Sequence, residues 1–150
     1  MMSHSYPTLI LVHNALRWAV LLSGIVLVVG SFVGKGRGFP YKPAGAGLTA
    51  AYTSLLSLQF VVGLFLSCVS PLVRTFWSNP AAGMKSHDLR FFAIEHTILM
   101  IAALALAHIG SARARRASTD EKAFSTSLTW AGASMALIIA GIPWWRPLLG

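Results

Sequence analysis

Acidic residues and thiols are scarce in this sequence. Its 150 residues include only four Asp and Glu against twelve Lys and Arg, and a single cysteine, Cys68. One cysteine excludes an intramolecular disulfide and any cage built from thiolates, so Cys68 reads as a small apolar filler. Two of the four acids, Asp120 and Glu121, sit together at a loop. That leaves no carboxylate cluster, and there is no Gly-rich nucleotide fingerprint or nucleophile motif, so hydrolase and phosphoryl-transfer chemistry have no residues to carry them. Charge of either sign is thin. Charged residues make up 11% of the chain against 55% hydrophobic, and the mean hydropathy of +0.67 lies outside the range of soluble domains. No Lys or Arg precedes the first apolar run and no small-residue cleavage pattern follows it, so that run reads as a membrane helix rather than a secretory signal.

Instead the chain has four segments, at roughly 8–33, 47–70, 89–112 and 124–146, each long enough to cross a hydrocarbon core that needs about 20 helical residues. The expected fold is all-α, a single four-helix transmembrane bundle over residues 1–150. Gly34, Gly36, Gly38, Pro40 and Pro43 punctuate the first loop, and Ser70-Pro71 stops the second helix. Ser86 or Asp88 can cap the third helix, and Ser118 with Glu121 has the form of a capping box for the fourth.

The net charge of +8 lies in short loops, which favours lipid headgroups over nucleic acid as partners. Seven basic residues fall in the loops joining helices 1 to 2 and 3 to 4: Lys35, Arg37, Lys42, Arg113, Arg115, Arg116 and Lys122. Four fall on the other side: Arg74, Lys85, Arg90 and Arg146. By the positive-inside rule both termini face outward, to the periplasm of a bacterial inner membrane, and Arg113, Arg115 and Arg116 meet anionic headgroups inside. Phe76, Trp77, Trp144 and Trp145 then form an aromatic belt at the outer face, with Trp130 near the inner one.

Within the spans, Glu95, His96 and His108 interrupt FFAIEHTILMIAALALAHIG, and His13 and Arg17 interrupt helix 1. At about 1.5 Å per helical residue, His13 in helix 1 and Glu95 and His96 in helix 3 lie at one depth, about six residues in from the outer face. Arg17 is one turn deeper on the stripe of His13, and Gln59 in helix 2 is near the same level. Isolated intramembrane charges cost roughly 2.5–3.5 kcal/mol each. Arg17 and Glu95 are therefore expected to pair, directly or through Gln59. Two imidazoles at matched depth on nonadjacent helices could be axial ligands of a b-type haem iron, titrate in a proton path, or pack as hydrogen-bonded residues. Ala103, Ala107, Gly110, Gly24 and Gly30 would supply room for a porphyrin or, equally, close helix packing. His108 lies about 18 Å deeper than His96 and about 120° around the helix. No histidine in the other helices matches it at that level, so a two-haem wire is not expected. Its expected contact is the inner headgroups, a backbone group or a quinone. His4 and His87 read as solvated surface.

Several of these residues are similar to a known set: His13-Asn14-Ala15-Leu16-Arg17-Trp18, Leu58-Gln59 with Gly63 and Ser70-Pro71, Leu89-Arg90-Phe91, Glu95-His96 and Ile142-Pro143-Trp144. Over nearly its whole length the chain resembles small bacterial four-helix membrane proteins commonly labelled cytochrome b-like. The resemblance implies a haem or a redox setting and points to His13, Arg17, Gln59, Glu95 and His96. Two expectations follow. In one, the chain serves a respiratory or photosynthetic system and binds one haem b or a quinone between helices 1 and 3. In the other it is a cofactor-free accessory subunit, or one in which His96 or His108 ligates a chlorophyll-type pigment, docked on a larger membrane complex.

Overall fold

The computed structural model describes residues 2–146, with side chains from Tyr6 onward; His4 therefore lies outside the described side chains. It is all-helical: α1 Met2–Arg37, α2 Ala44–Val69, short helices α3 Pro71–Ser78, α4 Pro80–Gly83 and α5 His87–Arg90, a π-helical turn Phe91–Glu95, α6 His96–Arg115 and α7 Asp120–Ala140. Four stretches are long and apolar enough to cross a membrane: Tyr6–Arg37, Ala44–Val69, His87–Arg115 and Asp120–Ala140.

The boundaries differ from expectation where packing or capping outweighs composition. α1 continues through Gly34 and Gly36. A side chain at Gly34 would collide with the Phe124 ring, so the glycine is there for close packing. The helix ends instead at Gly38, whose φ of 64° is the left-handed conformation that glycine adopts freely. The Phe39 N–H reaches back to the Gly34 carbonyl at 3.0 Å, closing a Schellman-type cap. α7 opens on Thr119, not Ser118: the Thr119 hydroxyl accepts from the Lys122 N–H at 3.2 Å. It also ends at Ala140 rather than running to 146, because Pro143 cannot continue it and Gly141 caps it. The stretch 71–86, expected as a loop, holds α3 and α4, opened by the Ser70 and Asn79 side chains as N-caps with Pro71 and Pro80 following.

The four spans form an antiparallel ring. α1 packs beside α2 and α7, and α6 beside α2 and α7, so α1 and α6 face each other across the diagonal. The core is Val20, Leu27, Tyr52, Leu56, Ala103, Ala107, Met135 and Ile138. Side chains that would be oily patches in water, such as Leu22, Ile25, Phe32, Phe65 and Ile98, cover the outside. Small residues let the helices approach: a Cβ on Gly24 would meet Met135, one on Gly30 Leu48, and one on Gly110 Trp130. Ala103 and Ala107 are buried as well, and these glycines serve close helix contacts.

Hydroxyls bind the bundle where greasy contact alone sets no register. Tyr52 Oη and Ser134 Oγ lie 2.8 Å apart, and Ser134 donates to the Ala103 carbonyl at 2.8 Å. Nearer the loops, Tyr41 Oη meets Thr49 Oγ1 at 2.9 Å and Ser127 Oγ at 3.0 Å, and the Tyr41 N–H donates to Asp120 Oδ1 at 3.0 Å. Trp77, Trp144 and Trp145 are exposed, but Phe76 is only 1% exposed, turned inward over Gly83, and does not join the belt. Trp130 lies under the Arg113 guanidinium, 5.0 Å from its ring centre.

Candidate functional site

At the end of the ring that carries α3, the four spans part around a cavity of about 260 Å³. Its walls include His13, Asn14 and Arg17 from α1, Gln59 and Gly63 from α2, His96 and Thr97 from α6, and Gly141 beyond α7. α3 roofs it with Leu72 and Val73. Among the described residues the lining holds two arginines, Arg17 and Arg146, and no side-chain carboxylate. Arg17 is 9% exposed, a guanidinium held inside the bundle and stacked 5.4 Å from the Trp18 ring centre.

The two imidazoles meet across the diagonal, with ring centroids 6.3 Å apart and planes at 70°. Each is held by a different neighbour. His96 Nδ1 lies 2.8 Å from the Gly141 carbonyl oxygen, an acceptor only, so Nδ1 carries the proton and donates. Nε2 is then a lone-pair nitrogen left to the cavity. His13 is set by Gln59, whose Nε2 donates to the His13 carbonyl at 3.0 Å and lies 3.3 Å from His13 Nε2. Because the Gln59 amide is a donor at both contacts, His13 Nε2 accepts and the proton sits on Nδ1. Gly63 makes room for this ring: a Cβ there would lie 3.1 Å from His13 Cε1. His13 Nδ1 and Gln59 Oε1 are both enclosed without a hydrogen-bond partner among the described residues.

The ion pair expected between Arg17 and Glu95 is not formed. Glu95 Oε1 accepts instead from Arg90 Nε, on the half-exposed outer rim, and Arg90 also donates to the Met84 carbonyl at 3.0 Å. The π-helical turn Phe91–Glu95 explains the change. A π turn closes i to i+5, which brings residue 90 round to face residue 95 and lets Arg90 hold Glu95 on the half-exposed rim. The polar layer is therefore His13, Asn14, Arg17, Gln59 and His96, without Glu95.

His108 is exposed on the outside of the bundle, its Nε2 2.9 Å from Ser57 Oγ on α2. His87 is exposed beside Asp88 and Trp145. The segment after α7 is fastened to the start of the third span: Trp145 Nε1 donates to Asp88 Oδ1 at 3.0 Å, Arg146 pairs with Asp88 Oδ2, and the Arg146 guanidinium lies 4.8 Å from the Phe92 ring centre. Depth counting passed over Asn14, Gly141 and Arg146. Asn14 was readable as a polar residue in an apolar helix, whereas the Gly141 carbonyl has no side-chain signal.

Among the described residues no three His, Cys, Asp or Glu side chains converge to hold a metal ion. A haem would need only two axial nitrogens, so its fit turns on donor set and room. His96, with Nδ1 anchored on a backbone carbonyl and Nε2 open, has the form of a metal-ligating histidine. Room argues otherwise. A cavity of about 150 Å³ takes one benzene, so four linked rings need on the order of 600 Å³. The 260 Å³ here suits a single substituted ring.

Fold and site together define the class, an antiparallel four-helix bundle of membrane-spanning character with a polar-ended cavity near one face. No protein-family model, curated protein or solved structure matches the chain.

Proposed function

We propose that this chain is a membrane subunit of an electron-transfer system and that its cavity receives the headgroup of a quinone. One observation carries the reading: His96 spends Nδ1 on Gly141 and turns a lone-pair Nε2 toward a ring-sized cavity with apolar walls. A quinone supplies a two-electron, two-proton couple. The residues supply what that couple needs at the oxygen atoms. His96 Nε2 accepts a hydrogen bond from a ring hydroxyl or takes its proton, while Asn14 and the Arg17 guanidinium offer N–H donors suited to a ring carbonyl. Gln59 fixes the His13 ring, and Leu72 and Val73 keep bulk water off the site. This agrees with the redox setting implied by the resemblance to cytochrome b-like proteins. The test is extraction of quinone from the purified protein, together with saturable binding of an added short-chain quinone. Absence of both overturns the reading.

In a second reading His13 and His96, whose ring centroids stand 6.3 Å apart across the diagonal, would hold one haem b and so supply a one-electron couple. It requires the helices to spread and His13 Nε2 to release Gln59. A reduced-minus-oxidised spectrum decides it, and the same spectrum separates a chlorophyll-type pigment by colour.

Docking on a larger membrane complex, whose subunits would pass electrons to or from the quinone, belongs to this proposal. So does orientation in a bacterial inner membrane with both termini and the cavity outward and Arg113, Arg115 and Arg116 among anionic headgroups inside.

A further inference from the structure

The seam between α2 and α6 is pinned at one level and parted at another. The Ser57 hydroxyl donates its one proton to the Thr53 carbonyl at 2.7 Å, so at 2.9 Å it accepts from His108 Nε2. Ser57 is near the middle of α2, which puts this bond near the middle of the span. Leu64 follows Ser57 by two turns, and Thr97 precedes His108 by three, so both continue the same seam-facing stripes toward the outer end. There Leu64 and Thr97 both line the cavity. Leu64 is at once a cavity wall and 45% exposed on the lipid side. Phe60 and Met100 form an apolar sill between that opening and the His108–Ser57 bond. Two of the other sides are tied across: His96 to Gly141 joins α6 to the end of α7, and Gln59 to His13 joins α2 to α1.

We infer that this parted seam is a lateral port for the tail of a lipid-soluble quinone: the ring sits by His96, and a long apolar chain runs out past Phe60 and Met100, between Leu64 and Thr97, into the acyl region. The inference rests on the quinone reading and adds the class of quinone and its route. His108, with no part in the polar layer, is a positioning residue that fixes the lower edge of the port.

The experiment measures binding of two quinones with the same headgroup, one with a long isoprenoid tail and one without, to the full chain in lipid nanodiscs, with concentrations expressed per lipid. Leu64→Trp fills the port, and Ile139→Trp, equally lipid-facing on α7, is the control. Leu64→Trp should weaken the tailed quinone at least fivefold and leave the tailless one within twofold, while Ile139→Trp changes neither. If Leu64→Trp does not fold, Ile101→Trp, one turn along the stripe of Thr97, 51% exposed and outside the cavity lining, blocks the facing lip and should discriminate in the same way. Equal weakening of both quinones, or of neither, overturns the port while leaving the headgroup site standing. If neither quinone binds the unaltered chain, the headgroup reading falls and takes the port with it.

Discussion

Replacing His96 by asparagine, glutamine and leucine separates what holds this residue from what it offers a ligand. The asparagine amide nitrogen overlays imidazole Nδ1, and the glutamine amide overlays Nε2. In the native chain Nδ1–H donates to the Gly141 carbonyl at 2.8 Å, inside a buried helix end. Leucine removes that donor and leaves the carbonyl with one fewer partner, at a cost of about 1–3 kcal/mol. Asparagine restores the N–H and should unfold within about 1 kcal/mol of the native protein, roughly the net worth of one hydrogen bond whose geometry has changed. Glutamine should cost nearly as much as leucine. For quinol affinity the order inverts. Asparagine loses the acceptor at the Nε2 position, and one hydrogen bond of about 1.4 kcal/mol is a tenfold loss, whereas glutamine keeps a polar oxygen there and should lose less. Denaturation in mixed micelles, followed by tryptophan fluorescence, reads the first ranking, and equilibrium binding of a short-chain quinol reads the second. If asparagine and glutamine rank alike in both assays, the division of labour between the two nitrogens is wrong.

Other substitutions test the frame around the site. Gln59→Leu keeps the volume but removes the donor to His13; it should destabilise by about 1–3 kcal/mol, and a double-mutant cycle with His13→Ala should return a coupling of at least about 0.5 kcal/mol. Gly110→Ala drives a methyl into Trp130 and should cost about 1–3 kcal/mol, whereas Gly132→Ala, in α7 with nothing within 4 Å, should stabilise by about 0.5–1 kcal/mol. Thermal unfolding of the pair in one detergent gives opposite signs. Thr119→Ala should cost about 0.5–2 kcal/mol by uncapping α7, and Ser118→Ala should be close to neutral in the same assay. Asp88→Asn breaks a half-exposed pair with Arg146 and should shift stability by no more than about 1 kcal/mol.

What could be read from the sequence followed from length and depth. Four apolar runs of membrane length are visible in composition, and counting residues inward puts His13 and His96 at one level, where their rings do stand 6.3 Å apart. Interactions that depend on rotation about a helix axis could not be read. The Arg17–Glu95 pairing assumed regular α-helical register through residues 91–95, and a single π turn exchanged Arg17 for Arg90 as the partner of Glu95. Glycine was equally ambiguous. Gly34 and Gly36 look like a stop, yet the helix passes through both because Phe124 needs the space at Gly34. The small residues of α6 could have lined a porphyrin slot, and whether they did depended on what α7 placed against them: Trp130 at Gly110 and Ser134 at Ala103.

The same π turn links fold to site. With regular α-helical register residue 90 would not come round to face residue 95, so Glu95 would lose the partner that holds it at the rim and be available to Arg17 in the layer beside it. The wide turn sets Arg90 to hold Glu95 at the rim, and leaves a layer of one guanidinium, two imidazoles and two amides with no acid among the described residues that line the cavity. Such a layer presents donors at Arg17 and Asn14 and an acceptor at His96 Nε2 in a low-dielectric setting, where each hydrogen bond is worth more than in water. A ring with an oxygen at each end, able to accept at one and donate at the other, is the simplest molecule that satisfies both. Deleting Ala93 should restore the α-helical register and part Arg90 from Glu95, freeing the carboxylate to swing toward Arg17. Quinone binding should then disappear while helix content stays unchanged by circular dichroism. Retained binding would show that the register of this turn does not set the site.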